Sequence, residues 1–276
     1  MQLLLLAVVL APLAWTWAFV LFTWSVRTQY GARRDRPLPK RTLLAQIAVL
    51  WREVVALLHA QSWHLSLPFT ATHTKPATPV DNPVLCVHGF TQDASNWRRV
   101  RAALHARGRQ VDAVSMGYPP RAIDRYVDAL ERRTDALLAT TQGPIDVVCH
   151  SMGGVILRLL LRKRPDIAAR LARVVTVATP HRGTAAAKGV LLAETRLLAR
   201  GSDMLQMVPM LPKLAPHALI VSIGSLDDAT VYPEPTTRAG GTHITLIGLG
   251  HAAVISDPEG VDAIVRALHE PWIRPT

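Results

Sequence analysis

The chain has 276 residues, enough for one α/β catalytic domain with an appendage. Hydrophobic residues make up 49% and charged residues 18%, a balance that excludes an intrinsically disordered chain. The net charge of +11 is concentrated in residues 1–80, which contain 8 Lys or Arg against 2 Asp or Glu; without a nucleic-acid-binding motif, this favours anionic lipid and not nucleic acid as a partner.

The first predicted element is an uncharged apolar stretch from Leu3 to Val26. A helix of about 20 residues spans the hydrocarbon core, so we expect a transmembrane segment over residues 1–27. A cleaved signal peptide is the alternative, disfavoured because no Lys or Arg precedes the apolar core. A basic cluster follows: Arg27, Arg33, Arg34, Arg36, Lys40 and Arg41. The positive-inside rule then predicts an external amino terminus and a cytoplasmic catalytic domain.

Residues 28–80 are expected to form a basic juxtamembrane segment, an amphipathic helix and a linker. Apolar residues recur at helical spacing from Thr42 to His59, which predicts either an interfacial helix or a helix packed on the catalytic domain. Residues 70–83 are rich in Thr and Pro and predict a linker. The catalytic domain is therefore expected over residues 81–276.

Strand and helix patterns alternate through that domain. Predicted strands cover Val84–Val87, Val111–Ser115, Ile145–Cys149, Arg173–Ala178, Leu219–Ile223 and Ile244–Ile247. Predicted helices cover Trp97–Ala106, Ile123–Thr140, Met152–Arg164 and Val261–Leu268. This alternation predicts a mostly parallel sheet with helices on both faces and chemistry at the carboxyl ends of the strands. Cys86 and Cys149 lie in apolar strands and are expected to be buried and free.

The segment from Ile145 to Gly154 combines an apolar strand, a turn at Ser151 and a helix that begins at once. A nucleophile elbow requires this context, and its strained turn needs the room that Gly153 and Gly154 leave. Cys149 replaces the first glycine of the usual G-x-S-x-G pattern. The alternative is that Ser151 only caps the helix.

Attack by a serine on a carbonyl creates an oxyanion that backbone N–H groups can stabilise. One expected donor is the N–H of Met152, at the start of the helix. The other is the N–H of Phe90, in the loop after the strand that ends at Val87. Gly89 lets this loop approach the substrate, and His88 is expected to be structural.

The general base and the acid should follow Ser151 along the chain, in the order acid and then histidine. The candidate bases are His181, His217, His243 and His251. We favour His251 because it follows a glycine-rich loop at the end of a strand. We expect the acid to be Asp228, on the loop after Leu219–Ile223, with the adjacent Asp227 as the alternative.

With these motifs the chain resembles the α/β-hydrolase superfamily, and more narrowly bacterial lipases and esterases with an H-G-F oxyanion strand and an H-S-M-G-G elbow. The likeness covers residues 83–269. It includes Val175–Thr184, which resembles their T-P-H-x-G segment, and Ser222–Val231, which resembles their acid loop and places the acid at Asp228. The resemblance implies an α/β-hydrolase fold, which would follow the N-terminal transmembrane helix expected from the apolar stretch. It further implies ester hydrolysis through a Ser-His-Asp triad and an acyl-enzyme, with no cofactor. Some lipases of this kind bind calcium, but no acidic cluster in this sequence matches such a site, so no metal is expected. The membrane that the apolar segment crosses is expected to be a bacterial inner membrane.

Residues 185–214 are apolar and rich in Met, and they fall where related lipases carry a lid. A lid would imply an ester or lipid substrate with an apolar acyl chain. An ordinary helical cap over the core is the alternative. A thioesterase, an amidase or an acyltransferase could use the same triad, and a catalytically inactive binding protein could use the same fold.

Overall fold

A parallel six-stranded sheet is at the centre of the computed structural model, which describes residues 14, 16–25, 27–29, 41–70, 81–189, 193–269 and 271. The strands are β1 (Val84–Val87), β2 (Val111–Val114), β3 (Ile145–His150), β4 (Leu171–Val177), β5 (Leu219–Ser225) and β6 (Thr242–Leu246). Their spatial order is β2-β1-β3-β4-β5-β6, and every neighbouring pair is parallel. The predicted α/β-hydrolase fold with a parallel sheet is confirmed.

Helices connect the strands. They are α1 (Leu43–Thr70), α2 (Arg98–His105), α3 (Ile123–Ala139), α4 (Met152–Lys163), α5 (Pro165–Ala168), α6 (Ala193–Leu197), α7 (Asp203–Met207), α8 (Leu211–Leu214) and α9 (Pro258–His269). Short 3₁₀ helices cover Ala94–Trp97, Ala186–Gly189, Glu234–Thr237 and Ala253–Ile255. Pro165 follows the end of α4 and begins α5, because a proline suits the first turn of a helix.

The core has two halves, one on each face of the sheet. In β3, Ile145, Val147 and Cys149 pack among the residues of α3 and α4, whereas Val148 packs with those of α2 and α9. Burial on both faces explains why the strands are continuous apolar runs without polar alternation.

The two cysteines are buried and free. Cys86 in β1 and Cys149 in β3 lie on neighbouring strands, but their side chains belong to opposite halves of the core. Burial raises the pKa of both thiols, so neither is activated as a nucleophile.

Two helical segments precede the catalytic domain and pack against it. Residues 16–25 and 27–29 are helical, and buried Val20 and Thr23 face Val49 of α1. The Gln61 side chain donates a 2.9 Å hydrogen bond to the Thr16 hydroxyl. Residues 1–13, 15 and 26 of the predicted transmembrane segment lie outside the described residues, so that span stays a prediction.

Helix α1 both packs on the domain and presents an apolar face. Its inner residues include Val49, Glu53 and Val54, whereas large apolar side chains on its first turns are exposed: Leu43, Leu44, Ile47 and Trp51. Residues 43–61 are long and apolar enough to cross a membrane by length and composition. The inner face of α1 thus packs on the catalytic domain, whereas the outer face of its first turns stays exposed.

Candidate active site

Ser151 occupies the sharp turn between β3 and α4. Its backbone has φ 54° and ψ −127°, a region that non-glycine residues rarely adopt and that costs about 1–3 kcal/mol. The side chain makes no hydrogen bond to the helix that it precedes. The Ser151 hydroxyl instead lies 2.9 Å from Nε2 of His251. This geometry is that of a nucleophile elbow and not of a helix cap.

The imidazole of His251 links Ser151 to Asp228. Its Nδ1 lies 2.8 Å from Oδ2 of Asp228, which is fully buried. The other carboxylate oxygen accepts 2.8 Å hydrogen bonds from the N–H groups of Thr230 and Val231, which fix its orientation. A carboxylate can only accept, so Nδ1 carries the proton and the Nε2 lone pair faces the serine hydroxyl.

Charges around His251 favour its protonated form. Burial by itself lowers the pKa of His251, but the negative charge and hydrogen bond of Asp228, with a contribution from Glu53, outweigh burial and raise it. A protonated imidazole at this position would therefore be stabilised by its surroundings.

Asp227 lies beside Asp228 but faces another part of the chain. Its carboxylate forms ion pairs with Arg27 at 3.6 Å and with Arg41, and it accepts a 2.7 Å hydrogen bond from the N–H of Gly248. Of the two adjacent aspartates, only Asp228 contacts His251 among the described residues.

The loop after β1 lies directly against the elbow. A Cβ built on Gly89 would lie 2.8 Å from Cβ of Ser151, and one built on Gly153 would lie 2.5 Å from the backbone oxygen of His88. His88 braces this loop, since its Nδ1 lies 2.8 Å from the Gly89 carbonyl and its Nε2 accepts from the N–H of Met116 at 2.8 Å. Two glycines thus permit a contact that any side chain would break.

The predicted oxyanion donors lie on the two sides of this contact. Met152 is the first residue of α4, where backbone N–H groups have no acceptor within the helix. Phe90 follows the close approach at Gly89. An oxyanion formed at a carbonyl attacked by Ser151 would be next to both segments, so the assignment of both N–H groups stays a prediction that this packing favours.

Three residues that the sequence analysis missed hold the His251 loop. The Ser225 hydroxyl donates to the carbonyl of Leu249 at 2.6 Å, and Nε2 of His150 lies 3.0 Å from the carbonyl of His251. Glu53 of α1 accepts hydrogen bonds from the residues after His251. Glu53 alone had a signal in the sequence, as an acidic residue within an apolar helical pattern.

A second serine, histidine and carboxylate contact one another in a row: Ser222 lies in β5, His243 in β6 and Glu234 in the 3₁₀ helix between these strands. The Ser222 hydroxyl is 2.8 Å from Nδ1 of His243, whose Nε2 contacts Glu234. Ser222 is fully buried within a regular strand, so no substrate can reach it. Ser222 can therefore serve as an internal control for Ser151, because it contacts a histidine that in turn contacts a carboxylate, but it does not lie on an elbow.

The described residues between 185 and 214, which are 185–189 and 193–214, include several short helices. Leu198, Leu205 and Leu211 are buried in the core, as a cap would require, whereas Met207 is exposed. A cavity of about 520 Å³ opens beside this segment, and its lining combines apolar side chains, such as Leu205, Met207 and Met210, with the cationic Arg158, Arg182 and Lys213. No group of three or more His, Cys, Asp or Glu side chains in the described part of the chain is arranged to hold a metal ion.

Comparison with known proteins gives a family and a fold. The model of the alpha/beta hydrolase family matches residues 84–217. No curated protein matches the chain by sequence. The mature lipase BlEst2 of Bacillus licheniformis is similar, with a TM-score of 0.61 and 14% identity, over 71% of this chain and 96% of that one. Lipase B of Aspergillus fumigatus has a TM-score of 0.62 and 13% identity, over 74% of this chain and 56% of that one. The chain thus spans little more than half of the fungal enzyme.

Proposed function

This chain belongs to the α/β-hydrolase superfamily, and from that premise we propose that it is a membrane-tethered serine hydrolase that cleaves carboxylic esters with an apolar acyl chain. The observation that carries the proposal is the hydrogen-bonded row of Ser151, His251 and Asp228, with distances of 2.9 and 2.8 Å. A strained elbow that points a hydroxyl at an imidazole suits nucleophilic catalysis.

Acylation begins when Oγ of Ser151 attacks the ester carbonyl carbon and Nε2 of His251 takes its proton. The carbonyl oxygen becomes an oxyanion, for which the N–H groups of Met152 and Phe90 are the proposed donors. The tetrahedral intermediate then collapses, the bond to the alcohol oxygen breaks, and His251 returns the proton to that leaving oxygen. The acyl group remains on Ser151.

Deacylation repeats the sequence with water. His251 takes a proton from the water as it attacks the acyl carbon, and then returns a proton to Oγ of Ser151 as the carboxylic acid leaves. Asp228 keeps the imidazole in one tautomer throughout and stabilises its charged form.

An ester with an apolar acyl chain is the substrate class that we propose. The two similar solved enzymes are named as lipases. The cavity beside residues 201–213 includes none of the triad residues in its lining; it is lined by Arg158, Arg182 and Lys213 and also by Leu and Met side chains. Such side chains accommodate apolar groups of varied shape. Thioesters, amides and transfer to an acceptor other than water would use the same triad, and we rank them second.

Membrane tethering is the second part of the proposal. It is supported by the apolar stretch Leu3–Val26, the basic residues that follow it and the exposed apolar face of α1. We propose a single transmembrane segment over residues 1–27, a juxtamembrane region over 28–80 and a catalytic domain over 81–276, with the basic side in the cytoplasm. The test is a reporter that is active only in the periplasm, fused after Thr276. Activity of this reporter would contradict the cytoplasmic assignment.

Labelling with a fluorophosphonate separates an active serine hydrolase from an inactive binding protein. The wild type and the Ser222→Ala variant should both label and should hydrolyse p-nitrophenyl esters, whereas Ser151→Ala should do neither. Comparison of butyrate and palmitate esters then gives the preferred chain length. Equal labelling of the wild type and Ser151→Ala would refute the assignment of the nucleophile.

A further inference from the structure

We propose that Glu53, on α1, is a positioning residue for the general base, and that its carboxylate holds the loop that carries His251. Helix α1 would then be part of the active site and not only its link to the membrane. The inference rests on the proposed hydrolase function, since it assigns a role in that same site.

Glu53 accepts hydrogen bonds from the two residues that follow His251 in the chain. The N–H of Ala252 lies 2.9 and 3.0 Å from the two carboxylate oxygens, and the N–H of Ala253 lies 3.0 Å from Oε2. Hydrogen bonds to an ionised carboxylate are roughly twice as strong as neutral ones. The direction in which the chain leaves His251 is therefore set by a side chain about 200 residues earlier in the sequence.

Gly250, directly before His251, gives a second line of evidence. A Cβ built on Gly250 would lie 2.3 Å from Oε2 and 2.6 Å from Cδ of Glu53, closer than such atoms approach. The carboxylate thus occupies the place of the missing side chain. Glu53 contacts the chain immediately before and after His251, so a shift of Glu53 must displace the imidazole.

Glu53 is buried, so it is not a charged surface residue whose carboxylate faces water. Burial raises the pKa of Glu53, and the N–H groups of Ala252 and Ala253 and the imidazole of His251 oppose that rise. A buried carboxylate costs several kcal/mol unless partners offset the loss of water. Its described partners belong to the loop that carries the proposed base.

Glu53 also acts on His251 through its charge. Asp228 faces the imidazole from the loop after β5, and Glu53 faces it from α1; both raise the pKa of His251. His150 faces it from the end of β3, with the two ring centroids 4.7 Å apart, and burial lowers the pKa of His150, which disfavours a second positive charge beside His251. A purely structural Glu53 would support the loop, but its loss would not move the titration of His251.

Three substitutions separate position from charge. Glu53→Gln keeps an oxygen acceptor and removes the charge; we expect kcat to fall about tenfold and the acid limb of kcat/KM to move to lower pH, because the imidazolium loses a favourable neighbour. Glu53→Ala removes both, and kcat should fall about 100-fold, as for a misplaced catalytic group. Glu53→Asp keeps the charge on a shorter side chain, so kcat should fall while the acid limb stays near that of the wild type.

Glu234→Gln is the matched control. Glu234 is also a buried glutamate that contacts a histidine, His243, outside the proposed triad. Its loss should lower the melting temperature without a change in the acid limb or a large change in kcat. Far-ultraviolet circular dichroism on every variant identifies any that does not fold, in which case Glu53→Gln, the closest in shape, decides.

An NMR titration of the His251 imidazole gives a readout that does not need turnover. The proposal is supported if Glu53→Gln lowers the pKa of His251 and Glu234→Gln does not. It is overturned if Glu53→Gln and Glu53→Ala match the control in kcat, acid limb and titration. If the wild type neither labels with fluorophosphonate nor hydrolyses esters, the hydrolase proposal fails. The coupling of Glu53 to His251 is tested independently by the titration, and an unchanged pKa of His251 in Glu53→Gln refutes it.

Discussion

Replacing each of the adjacent residues Asp227 and Asp228 by asparagine is the sharpest test of the proposed triad. Both carboxylates are buried, but Asp228 contacts Nδ1 of His251 at 2.8 Å, whereas Asp227 faces Arg27 and Arg41. The two variants change the same chemical group at neighbouring positions. They should nevertheless lose different properties.

Asp228→Asn should almost abolish turnover. An amide can donate an N–H to Nδ1, which moves the imidazole proton to Nε2 and removes the lone pair that faces Ser151. In a triad of this geometry such a change lowers kcat about 10⁴-fold, or about 5 kcal/mol of transition-state stabilisation. Because the charge of Asp228 raises the pKa of His251, the acid limb of the residual kcat/KM should also move to lower pH.

Asp227→Asn should chiefly lower stability. It leaves the buried Arg27 and the largely buried Arg41 without their shared carboxylate, a loss of about 3 kcal/mol or more in the free energy of unfolding. Its kcat should fall less than tenfold, because the Asp227 side chain contacts the base loop at the N–H of Gly248 and not at the imidazole of His251. Stopped assays with p-nitrophenyl butyrate and urea unfolding give both quantities. A kcat loss in Asp227→Asn equal to that in Asp228→Asn would refute the reasoning.

Three further outcomes are expected. Gly153→Ala places a Cβ 2.5 and 2.8 Å from backbone oxygens at the end of β1, so kcat should fall about 100-fold while circular dichroism still reports a folded protein. Joint replacement of Leu43, Ile47 and Trp51 by serine should lower the rate on long-chain ester in anionic vesicles about tenfold or more and spare a soluble short ester, since these side chains are exposed. Asp146→Ala removes the buried carboxylate that Arg109 and Arg173 share at the beginning of β3 and leaves the partly exposed Asp81 as their carboxylate partner, and denaturant unfolding should report a loss of about 3 kcal/mol.

The alternation of apolar runs predicted the sheet because helices cover both of its faces, which makes each strand apolar along its whole length. Local patterns therefore located the six strands to within about two residues. The short helices α6, α7 and α8 were not predicted as separate elements, because pieces of four or five residues are too short to show a helical period.

Ser151 could be proposed from the sequence alone because an elbow needs small residues in adjacent positions, and adjacency is what a sequence records. The choice between an elbow and a helix cap depended on the backbone angles of Ser151 and on where its hydroxyl points. Likewise, two neighbouring aspartates are nearly equivalent in the sequence, and the fold separates them by turning one toward His251 and the other toward two arginines.

The amino acid sequence by itself determined the alternating fold, the order of the candidate residues and the apolar, basic character of the amino terminus. Tertiary structure decided which groups meet. Glu53 and His251 are 198 positions apart, and nothing in a local pattern relates them. Their contact exists because α1 packs against the loop after β6, where the missing side chain of Gly250 leaves space for a carboxylate. Chain order can reveal periodicity and neighbouring motifs, but a contact between distant segments depends on how whole elements pack.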